Sequence, residues 1–393
     1  MLNRIFRSRR SKAKLFSYID CLLPKQKGKT LFVVKDRTYF SGNLRVTLEA
    51  YLEKSSKGLY VYKDGPLSDK LKAELQGLGV TVLHRFTLHT IWHIATSGTV
   101  ILSHNPRDAH ITRKCKKRYI INLWHGVAIK QIELLMPNIE EEKLRLLKNN
   151  SRLYDMVIAS SQQDKETNAK AFGVALEQVK VTGLPRYEIL KPTYRLGSVL
   201  AEEERKILQI KGNRKLVLYA PTFRENKPSA ITQITDKEWD RLEKFAETNN
   251  IVFGIRPHPY DIKALPERIK NARSFHLFEN TFYTEPNLLL RCTDILIVDF
   301  SSIWIDFLLL HRPIIGFSKD YKHYLEEERG FIYDFHAIFP TEFTVDVQTL
   351  IAKIEEAIEF DEEVHYTKPL SLFHAYDLSA DYRDNIYRAI QEL

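Results

Sequence analysis

Short, continuously apolar runs, each followed by a polar loop and then an amphipathic stretch, recur along most of this chain, and that alternation leaves few folds open to it. Runs at 30–34, 58–62, 80–84, 99–102, 119–123, 156–160 and 179–182 read as strands, with helices expected at 44–52, 68–78, 90–96, 137–149 and 163–172. A second series follows, with strands at 215–219, 251–255, 274–277, 295–298 and 314–317 and helices at 235–248, 287–291, 303–310 and 347–360. Strands apolar at every position are covered on both faces, and strand–helix alternation is the mark of a parallel sheet. The expected fold class is therefore α/β, with two doubly wound, Rossmann-like domains facing a central cleft near the carboxyl ends of their strands. A length of 393 residues suits two such cores. The expected boundaries are a basic segment at 1–29, an N-terminal domain at 30–192, a C-terminal domain at 193–379 opening on a charged connector to 214, and a helix at 380–393 packing back.

The formal net charge of +9 is concentrated at one end. Residues 1–29 hold Arg4, Arg7, Arg9, Arg10, Lys12, Lys14, Lys25, Lys27 and Lys29 against Asp20 alone, which is nine cations less one anion, or +8. Leu2, Ile5, Phe6, Leu15, Phe16, Ile19, Leu22 and Leu23 fall at spacings that form an apolar helical stripe opposite the cations. Such a segment suits an anionic membrane surface, each cation adding roughly 1 kcal/mol. A solvated basic arm is the plainer alternative. No nucleic-acid-binding motif accompanies the charge, so nucleic acid is not an expected partner. Cys21, Cys115 and Cys292 lie far apart without C-x-x-C spacing, so the sequence signals neither a disulfide framework nor a zinc site, and a reducing cytosol is the natural setting. Neither a membrane-spanning run nor a signal peptide is seen.

Polar clusters stand directly after the expected strands. Trp124-His125-Gly126 follows 119–123, with Gly126 allowing a tight turn; Gly183-Leu184-Pro185-Arg186 follows 179–182. Pro221-Thr222-Phe223-Arg224-Glu225 follows 215–219, and Arg256-Pro257-His258-Pro259 follows 251–255. Asp299-Phe300-Ser301-Ser302 stands between the strand at 295–298 and a helix that carries Asp306 one turn in. Taken singly, a Ser pair before a helix is a cap, a histidine is a hydrogen-bonding structural residue, and an Arg in a turn is a solvated charge. Taken together, two imidazoles, three arginines and a helix start with few carboxylates suit a polyanionic ligand, since Arg offers phosphate a bidentate fork. No P-loop, no G-x-G-x-x-G after the first strand and no G-x-S-x-G elbow occurs, which argues against an ordinary ATPase, a dinucleotide dehydrogenase and a serine hydrolase.

These motifs, in this order from about 30 to 335 and including Ser41-Gly42-Asn43 and Lys130, resemble those of the CDP-glycerol glycerophosphotransferases, the teichoic acid primases and polymerases of bacteria. The resemblance implies a GT-B fold and transfer of a polyol phosphate from CDP-glycerol to a hydroxyl of a polyprenyl-diphosphate-linked or polyol-phosphate polymer acceptor. The place implied is the cytoplasmic face of the cell membrane, held peripherally. It implies His125 and His258 as catalytic residues, with Arg256, Asp299, Ser301, Ser302, Thr222, Arg224, Arg186, Gly126, Asn43 and Asp306 on the substrate side. No metal-ligand cluster and no tightly bound cofactor are expected. Val127-Ala128-Ile129 stands where Thr-Pro-Leu is commoner, and Phe300 where Tyr is common. CDP-ribitol as donor, a GT-B nucleotide-sugar glycosyltransferase, and a non-catalytic membrane-surface binding protein are the alternatives that the residues leave open.

Overall fold

The computed structural model describes residues 9–35, 39–54, 57–222, 224, 230–258, 261–321, 323–324, 330–359 and 363–393. The chain divides into two compact units, Met1–Glu188 with Phe373–Leu393, and Ile189–Leu372. The two units divide at 188/189 and 372/373, beside the domain boundaries expected at 192/193 and 379/380.

In the first unit, β1 (Gln26–Val34), β2 (Leu59–Lys63), β3 (Thr81–His84), β4 (Ser97–Leu102), β5 (Tyr119–Asn122), β6 (Met156–Ala159) and β7 (Val179–Val181) form one parallel sheet in the order 3-2-1-4-5-6-7. In the second, β8 (Lys215–Ala220), β9 (Ile251–Ile255), β10 (Phe275–Leu277), β11 (Ile295–Val298), β12 (Ile314–Phe317) and β13 (Phe343–Thr344) form another in the order 10-9-8-11-12-13. Both are doubly wound: each sheet grows outward over three strands and then reverses on the other side of its first. The reversals lie between β1 and β4 and between β8 and β11, and the crevice outside the strand ends at such a point is where doubly wound sheets bind ligands. The four residues of β11 are all buried, as a continuously apolar run requires. Leu31, Val33, Val100, Ile120, Val157 and Phe172 share one core; Val217, Trp239, Phe253, Ile297, Phe317 and Leu350 share the other.

The structure corrects several expectations. The first strand begins at Gln26, inside the expected basic segment. The charged connector contains a helix, Ser198–Lys211, which buries Leu200, Glu203 and Ile207. The helix expected at 303–310 stops at Leu308, and β13 was not foreseen. Helix Arg9–Asp20 does form, but its apolar side is not left for a membrane: Phe16 is fully buried beside Phe86, and Ile19 and Leu23 pack on the same core. Tyr18 and Leu22 point outward, 60% and 83% exposed. Arg4, Arg7, Leu2, Ile5 and Phe6 lie outside the described residues, as do the side chains of Arg9, Arg10, Lys12, Lys14 and Leu15. Sequence distance also misled for the cysteines: Cys21 Sγ stands 2.7 Å from Cys115 Sγ. With Asp20 they bring three potential ligand atoms within 4.8 Å of one another, where no metal-binding group was expected. No helix among the described residues is long and apolar enough to cross a membrane.

Candidate functional site

In the first unit the polar residues gather where the strands end. Lys35 follows β1, Ser103-His104 follows β4, Trp124-His125-Gly126 follows β5 and Gly183-Arg186 follows β7. Asn43, 3% exposed in helix Gly42–Lys54, joins two of these segments, those after β5 and β7. Its Nδ2 donates to the carbonyls of Leu123 (3.0 Å) and Trp124 (3.2 Å), and its Oδ1 accepts the Arg186 N–H (3.1 Å). Trp124 takes a left-handed backbone conformation, φ 46°, held by its N–H donating to Asn122 Oδ1 at 2.9 Å and by its ring packing edge-on against Phe172. A bulky residue in that region stores of order 1 kcal/mol or more, which the surrounding bonds must hold. Arg186 Nη1 donates to the His125 carbonyl. A Cβ at position 126 would lie 3.1 Å from Arg186 Nη2, so the guanidinium seats itself on the bare Cα of Gly126.

The turn presents the His125 ring on the protein surface, stacked on His104 (centroids 4.7 Å, 18°) and against Trp124 (4.1 Å). Nδ1 lies 3.4 Å from the Ser103 carbonyl. A carbonyl only accepts, so the proton belongs on Nδ1 and Nε2 carries the basic lone pair. Desolvation pushes the His125 pKa down to about 4, Arg186 and Lys35 push the same way, and the Ser103 carbonyl opposes them. The ring is exposed, and its lowered pKa favours the neutral imidazole at physiological pH. His104 is pushed to about 2 by desolvation, His125 and Lys35. The sequence reading missed His104: it sits in Ser103-His104-Asn105-Pro106, whose only signal was its place after an apolar run.

In the second unit the strand ends at the reversal are tied directly together. Asp299, fully buried after β11, accepts the Thr222 N–H (2.8 and 3.0 Å), the Thr222 hydroxyl (2.6 Å) and Arg224 Nη2 (3.1 Å). Arg224, 2% exposed, also forks onto Asp320 through Nε (2.9 Å) and Nη2 (3.0 Å), donates to the Thr222 carbonyl (2.7 Å) and lies over the Tyr324 ring. Burial favours protonation of Asp320, but the Arg224 hydrogen bonds and charge and the Ser318 hydroxyl outweigh it and hold the carboxyl below its ordinary range. Asp320 carried no sequence signal. Thr222, Arg224 and Asp299, expected on the substrate, are thus engaged with one another and shape the loops.

Arg256 and His258 follow β9, both half-buried. The Arg256 N–H donates to the Tyr219 carbonyl (2.9 Å), and its Nη2 to the Tyr283 carbonyl (3.1 Å). Desolvation lowers the His258 pKa against a smaller opposite pull from Asp261. Ser301 and Ser302 are half-buried; Ser302 holds the cap position of the six-residue helix Ile303–Leu308 without a side-chain capping bond, and Ser301 Oγ lies 3.5 Å from the Ile303 N–H. Asp306 is 1% exposed, inside the helix rather than at its mouth. Phe300 is fully buried, stacked on Tyr324 at 3.9 Å. Phe223, Glu225 and Pro259 lie outside the described residues.

The model of the family CDP-Glycerol:Poly(glycerophosphate) glycerophosphotransferase matches residues 15–391. The chain belongs to that family. Among its relatives, the teichoic acid poly(glycerol phosphate) polymerase of Bacillus spizizenii is 28% identical over 358 residues, covering 88% of each chain. The teichoic acid poly(ribitol-phosphate) polymerase of the same organism is 26% identical over 374 residues; the match covers 93% of the present chain but 57% of that longer protein. Among solved structures, the wall teichoic acid polymerase TagF soaked with CDPG superposes with a TM-score of 0.79 at 18% identity, covering 99% of this chain and 96% of that one. That likeness establishes the fold.

Proposed function

We propose that this family member moves a polyol phosphate, glycerol phosphate first, from a CDP-polyol to a hydroxyl of a lipid-linked or polymeric acceptor and releases CMP. The observation that carries the reading is the placement of the His125 imidazole, its Nδ1 facing a carbonyl and its Nε2 left as the base, in a turn fixed by Asn43 and Arg186; the lowered pKa favours the neutral ring that a base requires. The acceptor oxygen attacks the phosphorus that bears the polyol, its proton passes to His125 Nε2, and the bond from that phosphorus to the bridging oxygen breaks, with CMP departing. Arg256 and His258 bind the diphosphate, and the Ser301 and Ser302 hydroxyls hydrogen-bond it; Thr222, Arg224 and Asp299 hold those loops in place. Ribitol is the second donor to test, because relatives named for ribitol phosphate and for glycerol phosphate match at 26% and 28% identity.

The test is CMP release from purified protein given CDP-glycerol, CDP-ribitol or a UDP-sugar with an oligomeric polyol-phosphate acceptor. A CDP-polyol is expected to serve and the UDP-sugar to fail. His125→Ala should lose a factor of about 10² or more, the usual worth of a general base; an unchanged rate removes His125 from the mechanism. The protein is further proposed to work peripherally at the cytoplasmic face of the membrane. There the cations of the N-terminal segment and the outward Tyr18 and Leu22 meet anionic lipid. Deleting 1–8 should weaken vesicle binding and leave turnover on a soluble acceptor intact, whereas a pure membrane-binding protein would release no CMP at all.

A further inference from the structure

We propose that Cys21 and Cys115 are an oxidative modification site, a thiol pair that closes reversibly into a disulfide and clamps the N-terminal helix to the loop entering β5. The two residues are 94 positions apart, yet their sulfurs stand 2.7 Å from each other. Two thiolates on a tetrahedral zinc, with Zn–S about 2.3 Å, would stand about 3.8 Å apart, whereas a disulfide brings sulfurs to about 2.0 Å. The separation lies nearer the second arrangement. Asp20 and Arg118 flank the pair and hold both segments irrespective of oxidation: Arg118 Nη1 meets Asp20 Oδ2 at 2.7 Å, and the same guanidinium donates to the carbonyls of Ser97, Ile94 and Ala95. Lys25 also stands 3.4 Å from Asp20 Oδ1. Its carboxylate is therefore already neutralised by two cations, which further disfavours a metal on the Asp20–Cys21–Cys115 group.

The two thiols differ in a way that orders the chemistry. Cys21 is exposed and Cys115 buried, with burial and the contact from Cys21 pushing the Cys115 thiol up to about 12. A low-molecular-weight disulfide, RSSR, therefore meets Cys21 first. The Cys21 thiolate attacks one sulfur, forming a mixed disulfide and expelling RS⁻. Cys115 Sγ, whose thiol lies 3.4 Å from Asp20 Oδ2, then gives up its proton and attacks Cys21 Sγ, expelling the second RS⁻. Two protein thiols are oxidised, one RSSR is reduced to two RSH, and the two protons go to the two RS⁻. The clamp is independent of the transferase reading and stands or falls separately from it.

The experiment uses the full chain with oxidised glutathione as the probe, followed by alkylation and non-reducing peptide mass mapping. The expected result is a peptide containing Cys21 joined to one containing Cys115, with the loss of two hydrogens, Cys292 alkylated throughout, and reversal by dithiothreitol. The oxidised protein should also melt several degrees higher and resist proteolysis within 9–25, and Cys21→Ser, at an exposed position, should abolish both the linkage and the shift. Alkylation of all three cysteines after oxidation overturns the proposal, as does a glutathione adduct that persists on Cys21 alone. Zinc-dependent protection of the two thiols, released by a chelator and without any linked peptide, overturns it in favour of a metal site.

Discussion

Asn43 spends its whole amide on the backbone of other segments: two carbonyls of the turn after β5 and the N–H that opens the segment after β7. Removing it leaves a buried N–H and two carbonyls without that partner, at about 1–3 kcal/mol for each group left unsatisfied. Asn43→Ala is therefore expected to lower stability by about 2 kcal/mol or more in urea titration, and to reduce CMP release beyond what the lost stability explains, because His125 rides on that turn. Full activity in the variant would show that the turn holds itself. The two stacked imidazoles set a pH dependence at the same scale. Both have pKa values below the ordinary 6.5, about 4 for His125 and about 2 for His104, so the unfolded chain takes up protons that the folded one refuses. Their contribution is intact above about 6.5 and is lost as the pH falls from there toward about 4 for His125 and about 2 for His104. The urea midpoint should accordingly drop between pH 7 and pH 5, with a shallower drop in His104→Gln. The acid limb of CMP release should lie well below pH 6.5. A limb at the ordinary histidine value would mean that the ring is hydrated and unperturbed.

At the scale of elements, each sheet offers its strand ends to loops, and in the second unit those loops are fastened by buried charge. Asp299, Arg224 and Asp320 connect the segments following β11, β8 and β12. Asp299→Ala would strand Arg224 beside a single carboxylate and leave the Thr222 N–H without its acceptor. Breaking one partner of a buried pair costs about 3–5 kcal/mol, so this variant should be strongly destabilised and Asp299→Asn less so; near-native stability in Asp299→Ala would show that water replaces the carboxylate. Much at this scale was legible beforehand. The strands at 251–255, 295–298 and 314–317 match residue for residue, because strands covered on both faces announce themselves as unbroken apolar runs. The helix Ser198–Lys211 was not legible, since its exposed face is dense in charge and only Leu200, Glu203 and Ile207 turn inward. Nor could sequence show that the Arg of Thr-Phe-Arg-Glu is bonded to two carboxylates, because Asp299 and Asp320 lie 75 and 96 residues away. The same blindness to distance hid His104 beside His125 and Cys21 beside Cys115.

For the whole molecule, the consequential fact is that the first unit is built from both ends of the chain, with the second unit inserted between them. Helix Tyr382–Gln391 packs on helix Gly42–Lys54, with Tyr387 edge-on to Tyr51 at 5.1 Å. Tyr382 is fully buried: its N–H donates to Glu188 Oε1 (2.7 Å), and its hydroxyl donates to the carbonyls of Tyr376 (3.1 Å) and Asp377 (2.7 Å). The fit explains Gly183 in Gly-Leu-Pro-Arg, which has φ +69° and where a Cβ would stand 2.4 Å from the Tyr382 ring. The motif that carries Arg186 is thus supported from the far end of the sequence. Truncating a large buried aromatic costs about 3–5 kcal/mol, so Tyr382→Ala should unfold the first unit well before the second and separate their transitions in calorimetry. A fragment ending at 188 should show weak near-ultraviolet dichroism, and a peptide of residues 373–393 added in trans should restore it. If the fragment is fully structured without the peptide, the C-terminal helix is only an appendage and the support for Gly183 and Arg186 comes from elsewhere.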